Sequence, residues 1–188
     1  MDVPEAPLEQ TETGTVPSGA GWFVLNARDA RWRSRPGRQS VSFTGSDEWV
    51  ADTLFPMLGV NLAVLEPGEP NSIYHWETEA EAFLVLSGEA LLIVEGQERP
   101  LQQWDFVHCP PKTEHVIVGA GDGPCVVLCM SSRENQQFGP YGEYTVDEAA
   151  ARYGASSPGV TQDTDVADAD WPDSQPSRYQ EGWLPDNP

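Results

Sequence analysis

Between Leu58 and Met130 the chain is cut into short apolar runs separated by turn sequences, and no helical period intervenes. The runs are Leu58 to Leu65, Ile73 to Thr78, Ala82 to Leu86, Ala90 to Val94, Asp105 to His108, His115 to Val118 and Cys125 to Met130. Glu66-Pro-Gly-Glu-Pro-Asn71, Ser87-Gly88-Glu89 and Glu95-Gly96-Gln97 punctuate them as turns. Short strands at near-regular spacing predict an all-β antiparallel sandwich or barrel. Glycine and proline, 17 each in 188 residues, also favour turns and short strands over a helical bundle.

The flanks read differently. Residues 1–20 lack apolar periodicity and read as a mobile tail. Trp22 to Leu25 reads as a short strand, and the arginine-rich stretch after it as loops. A barrel domain is therefore expected over 21–133, followed by an irregular extension over 134–188. Thr145-Val-Asp-Glu148 has the form of a capping box and predicts one short helix from Val146 to Tyr153, closed by Gly154. Some of Trp171, Tyr179 and Trp183 in the extension are expected to anchor it onto the barrel.

The formal charge is −20, from 30 acidic and 10 basic side chains. Such a chain is repelled by phosphate backbones and anionic lipid, which argues against nucleic acid and membranes as partners. A surface rich in acid and poor in lysine fits a protein from a salt-accumulating microbe, and a GC-rich genome would deplete lysine as well. Unfolding measured against KCl separates the two. Arg28, Arg31, Arg33, Arg35 and Arg38 lie in one stretch and read as a solvated segment balancing the acidic surface. No signal peptide or membrane span is visible. The three cysteines read as buried, inert thiols, since Cys125 and Cys129 on one strand lie ~13 Å apart, too far for a disulfide. Together these readings favour the reducing cytoplasm.

All three histidines fall between residues 75 and 115. Strand alternation in Tyr74-His75-Trp76-Glu77 puts His75 and Glu77 on one face, ~7 Å apart along the backbone, with Tyr74 and Trp76 on the other. A Tyr–Trp pair left in water would form an apolar patch, so the strand around Trp22 to Leu25 or a second subunit is expected to cover it. Glu81 opens the next strand and His115 a later one. Two histidines and one or two carboxylates converging inside a small barrel can hold a divalent ion. His108 reads as a structural histidine and Glu79 as a solvated charge.

Gly68-x6-His75-x-Glu77-x3-Glu81-x6-Gly88 resembles the first motif of the cupin superfamily, and Asp105-Phe-Val-His-Cys-Pro110-x4-His115 resembles the second. The stretch from Gly21 to Arg133 also looks like the small single-domain microbial cupins of the type-2 barrel group. The resemblance implies an all-β cupin jelly-roll barrel with a metal in its mouth, and a homodimer. His75, Glu81 and His115 match three of the four usual ligand positions, and Glu77 stands where a second histidine usually stands. The full candidate set is thus His75, Glu77, Glu81 and His115 around one divalent ion, Zn, Fe, Mn or Ni, with Glu77 also a candidate general base. The sequence departs from the family pattern at Trp104 and Lys112, which replace turn glycines, and at Gly119, which replaces a late asparagine.

The functions open to such a site are an iron dioxygenase, a Lewis-acid isomerase or lyase with Glu77 as base, and a binding or sensing module without turnover. Fold analogy does not choose among them. A small polar molecule is the expected ligand. Only Arg99 and Lys112 are basic within the strand motifs, which gives a phosphate-bearing substrate little support. Phe83, Trp104 and Phe106 are the aromatic candidates for lining the pocket.

Overall fold

A computed structural model of the protein describes residues 4–19, 21–43, 58–133 and 141–186. The seven runs form β5 (Leu58–Leu65), β6 (His75–Glu77), β7 (Glu81–Ser87), β8 (Glu89–Val94), β10 (Phe106–Cys109), β11 (His115–Ala120) and β12 (Cys125–Ser132). Polar Gln97–Gln102 adds β9, an exposed edge paired to β8 that no apolar run announced. Two antiparallel sheets result. One has five strands in the order β13 (Gly142–Tyr144), β6, β11, β8, β9. The other has seven, in the order β10, β7, β12, β5, β4 (Arg38–Ser42), β3 (Trp32–Arg35), β14 (Gln175–Ser177). The fold is an all-β jelly roll.

Alternation along each strand sorts the side chains into layers. Ala63, Leu65, Phe83, Val85, Leu92, Ile117 and Val127 pack between the sheets. Their neighbours point outward and need separate covers. Leu62, Val64 and Val126 pack with Trp32 and Val41 against Tyr179, Trp183 and Leu184 of the C-terminal extension. Trp32 is fully buried, with ring centroids 5.9 Å from Tyr179 and 5.2 Å from Trp183. The extension is therefore anchored as its aromatic residues suggested.

Several expectations for the flanks are corrected. Residues 8–17 are not an irregular tail: β1 (Leu8–Thr11) and β2 (Gly14–Pro17) form an antiparallel hairpin. Trp22 makes a single bridge to Glu5 and no strand follows to Leu25. The arginine-rich stretch is not loop but the hairpin β3–β4, joined to the barrel through β5. The outer face carrying Tyr74 is covered by the chain's own C-terminal segment. Tyr74 packs with Ile93, Val116, Val118, Ala150 and Ala155, and its hydroxyl accepts a hydrogen bond from the Gly96 amide. Trp76 is half-buried beside Glu143 of β13. The helix is α1 (Glu148–Ala151), capped by Asp147, whose carboxylate accepts from the Ala150 amide, and not by Thr145. Thr145 cannot open a helix because its backbone is tied to the barrel, donating to Tyr74 and accepting from Ser157. A second short helix, α2 (Thr164–Ala167), follows. No helix among the described residues is long and apolar enough to cross a membrane.

The turn substitutions leave a mark. Trp104 (φ 75°) and Lys112 (φ 68°) both adopt the left-handed conformation that glycine tolerates and other residues do not. Both side chains are exposed, so little packing compensates. Trp104→Gly and Lys112→Gly should each raise stability by up to about 1 kcal/mol, the relief of strain being partly offset by glycine's extra freedom when unfolded. Urea unfolding of the single variants checks this, and a loss of stability would show that the side chains matter more than the backbone. Gly119 is required for another reason: a Cβ there would run into the backbone carbonyl of Glu66, so an asparagine does not fit without moving that backbone.

Candidate metal centre

The sheets bring three of the four candidate side chains to one point, with Glu77 beside them. β6 and β11 are neighbours, and His75 pairs directly with His115, their rings 5.1 Å apart. Parity sends both rings inward: His115 shares a face with core Ile117, and His75 shares one with Glu77. Glu81 comes from the opposite sheet, at the start of β7, on the same face as buried Phe83. The Phe83 ring packs 5.3 Å from that of His115.

Each imidazole is held by its far nitrogen. His75 Nδ1 lies 2.7 Å from the Ile73 carbonyl oxygen and 3.2 Å from Ser72 Oγ. His115 Nδ1 lies 2.9 Å from the Thr113 carbonyl oxygen. A carbonyl can only accept, so Nδ1 carries the hydrogen on both rings, and Nε2 of a neutral ring presents a lone pair to the interior. There it meets another acceptor. Glu81 Oε2 is 3.1 Å from His115 Nε2 and 3.6 Å from His75 Nε2. One ligand atom from each of His75, Glu81 and His115 falls within 4.8 Å of the others. Although close, Glu81 Oε2 and His115 Nε2 make no aligned hydrogen bond, and both are buried without a partner. Buried polar atoms in that state need a cation between them. Neutral imidazoles fixed through Nδ1 and a carboxylate are the donors that divalent transition ions take, so these residues fit such an ion.

In the ion-free protein, protons take that role. Burial works against a charged His75, but Glu77 and Glu81 outweigh it and raise it to about 9. Burial likewise opposes charge on His115, and Cys109 with Glu81 raises it to about 10. Burial would push Glu81 up, yet the two imidazoles hold it down at about 2. Glu77 stands beside this set, its Oε1 3.7 Å from His75 Nε2 and its Oε2 buried without a hydrogen-bond partner. It does not belong to the group within 4.8 Å.

Other expectations fall differently. His108 is exposed on β10 and takes no part in the cluster. Glu79 is not a solvated charge: it is 3% exposed and accepts a hydrogen bond from Ser132 Oγ at 2.8 Å. Cys109 and Cys125 are buried, Cys129 is half-buried, and all three are free thiols. Phe83 lines the cavity beside the cluster, whereas Trp104 and Phe106 are 66% and 62% exposed and do not. That cavity, of about 310 Å³, is also lined by Arg31, Arg33 and Arg38. The arginine stretch is thus not simply a solvated segment. Its spacing at every second residue, Arg31, Arg33 and Arg35, was a strand signal, obscured because the alternating partner, Trp32, faces outward.

Residues 61–131, which include His75, Glu77, Glu81 and His115, match the family described as Cupin domain. No match is found among curated proteins. Among solved structures the chain is similar to a sugar phosphate isomerase of the cupin superfamily from Silicibacter pomeroyi, at 26% identity and a TM-score of 0.45. That match covers 57% of this chain and 64% of the other, so the chain spans less than two thirds of that protein's length. It is similar to a cupin-like protein from Thermotoga maritima at 22% identity and a TM-score of 0.49, covering 68% of this chain and 90% of that one. It is also similar to the polyketide cyclase RemF from Streptomyces resistomycificus at 13% identity and a TM-score of 0.50, covering 59% and 79%. The motif spacing, the jelly roll and the family match agree on one conclusion: residues 61–131 of this chain are a cupin domain.

Proposed function

We propose that the protein is a metal-dependent enzyme acting on a small polar molecule, with one divalent ion held by His75 Nε2, His115 Nε2 and the Glu81 carboxylate. The observation that carries this reading is the set of buried acceptors facing one another without partners, His115 Nε2 and Glu81 Oε2, with both imidazoles fixed through Nδ1. Two imidazoles and one carboxylate suit Fe, Mn, Zn or Ni in the divalent state and leave positions open for a ligand. When bound, such an ion polarises a substrate oxygen. Glu77 lines the same cavity with a buried, unpartnered Oε2, and its role is to take a proton from substrate there.

Metal analysis of the purified full chain tests the reading. About one ion per chain is expected. His75→Ala and His115→Ala should weaken binding by more than the roughly 10–100-fold that follows loss of an outer hydrogen-bond partner. Unchanged metal content in both variants would remove the site. Glu77→Gln separates ligand from base: retained metal is expected, because Glu77 lies outside the tight group, whereas Glu81→Gln should lose it. Metal loss in Glu77→Gln would make Glu77 a fourth ligand.

A further inference from the structure

The cavity that holds the His–Glu cluster has a second chemical face. Ser40 pairs with Ala63 and Arg38 with Leu65, two residues of the inter-sheet core, so Arg38, Ser40 and Ser42 point inward. Arg33 pairs with Ser40 and takes the same face, while Trp32 and Val41 point outward into the second core. This hairpin inverts the usual pattern, with apolar residues under the C-terminal cover and cations toward the cavity.

The arginines differ in what they meet. Arg35 is satisfied inside the protein by Glu69 at 2.9 Å, the Pro70 carbonyl oxygen at 3.0 Å and the Trp171 ring at 4.1 Å, and Arg33 Nη2 donates to the Ser174 carbonyl oxygen. Arg38 is not: its Nε is buried without a partner, and its Nη1 reaches only Ser40 Oγ, at 3.5 Å. Burial, then the neighbouring Arg35 and Arg33, push Arg38 down to about 10, the direction expected of a cation short of counter-charge. Among the described residues lining the cavity, the carboxylates are Glu77 and Glu81, and both lie in the histidine cluster. A divalent ion there would offset those two carboxylates, leaving neither to balance Arg38, within a chain of net charge −20.

We propose that Arg38, with Arg31 and Arg33, forms an anion subsite in the metal cavity, and that the substrate is a small molecule carrying a carboxylate or a phosphate. Its anionic end sits on the guanidinium groups, and its remaining polar groups point to the His–Glu cluster. Guanidinium donors match the oxygens of either anion, and at about 310 Å³ the cavity suits a metabolite-sized ligand. This inference rests on the reading of the cluster as a metal site only for the orientation of the ligand; the anion contact itself needs no ion.

Calorimetric titration of the full chain with inorganic phosphate, and separately with malonate, tests it, with metal content measured in parallel. At least one of the two should bind the wild type, and which one binds distinguishes phosphate from carboxylate recognition. Arg38→Gln should weaken that binding about tenfold or more with metal content unchanged. Arg33→Gln, read beside it, guards against a folding defect in the first variant. His115→Ala should lose metal yet keep anion binding, which separates failure of the metal reading from failure of this one. No binding of either anion to the wild type, or equal binding by wild type and both arginine variants, would overturn the proposal.

Discussion

Metal affinity should rise about a hundredfold per pH unit between pH 6 and 8, and about two protons should be released for each ion bound. The sign follows from the ion-free site. His75 and His115 are raised to about 9 and about 10, so both are protonated at neutral pH, and each must lose its proton before Nε2 can hold an ion. Glu81, held at about 2, is already ionised throughout that range and contributes nothing to the slope. The stability of the ion-free protein should run the other way. Two histidines raised above their unfolded value of 6.5 contribute stability that is complete below pH 6.5 and lost as pH climbs through about 9 to 10. The Glu81 contribution is present above its unfolded value of 4.5 and is lost as pH falls through about 2. Metal titration in two buffers of different ionisation enthalpy counts the protons, and thermal unfolding of chelator-treated protein across pH 5 to 10 checks the stability limb. Release of no protons at pH 7 would mean that the imidazoles are neutral without the ion.

Trp32→Ala should cost about 3–5 kcal/mol, the largest stability loss expected of any single change outside the inter-sheet core. Trp32 is fully buried, its indole N–H donates to the Ala27 carbonyl at 2.8 Å, and its ring is the platform on which Tyr179 and Trp183 pack. Removing it opens a cavity and detaches the cover of the seven-stranded sheet at once. Faster proteolysis within the C-terminal extension should accompany the drop in melting temperature, and Trp183→Ala, at a half-buried position, should cost less. A small stability change with an unaltered cleavage pattern would show that the extension is held from elsewhere.

The candidate site was legible to the extent that it depends on parity. A strand places every second residue on one face, so His75 and Glu77 could be put together from spacing alone, while the resemblance of the motifs brought in Glu81 and His115. Glu79 was not legible, because it sits on the connection between β6 and β7, where no period applies and only the contact with Ser132 buries it. The Arg31 to Arg38 hairpin misled for a related reason. Charged residues alternating with Trp32 and Val41 look like a solvated face when apolar residues are assumed to face the one core. Here a second core lies on the other side of the sheet, built from segments more than a hundred residues later.

The local pattern of the chain by itself determined the strands β5 to β8 and β10 to β12, the turns between them, and the shared face of His75 and Glu77, because these follow from alternation and turn chemistry within a few residues. Glu81 and His115 were picked out by the resemblance of their motifs. Only the tertiary structure decided what covers each outer face, that Asp147 rather than Thr145 caps the helix, and that arginines line the cavity beside the His–Glu cluster. Those outcomes depend on pairings between distant segments, β3 with β14, β4 with β5 and Thr145 with Tyr74, whose stability comes from burial that no local window contains.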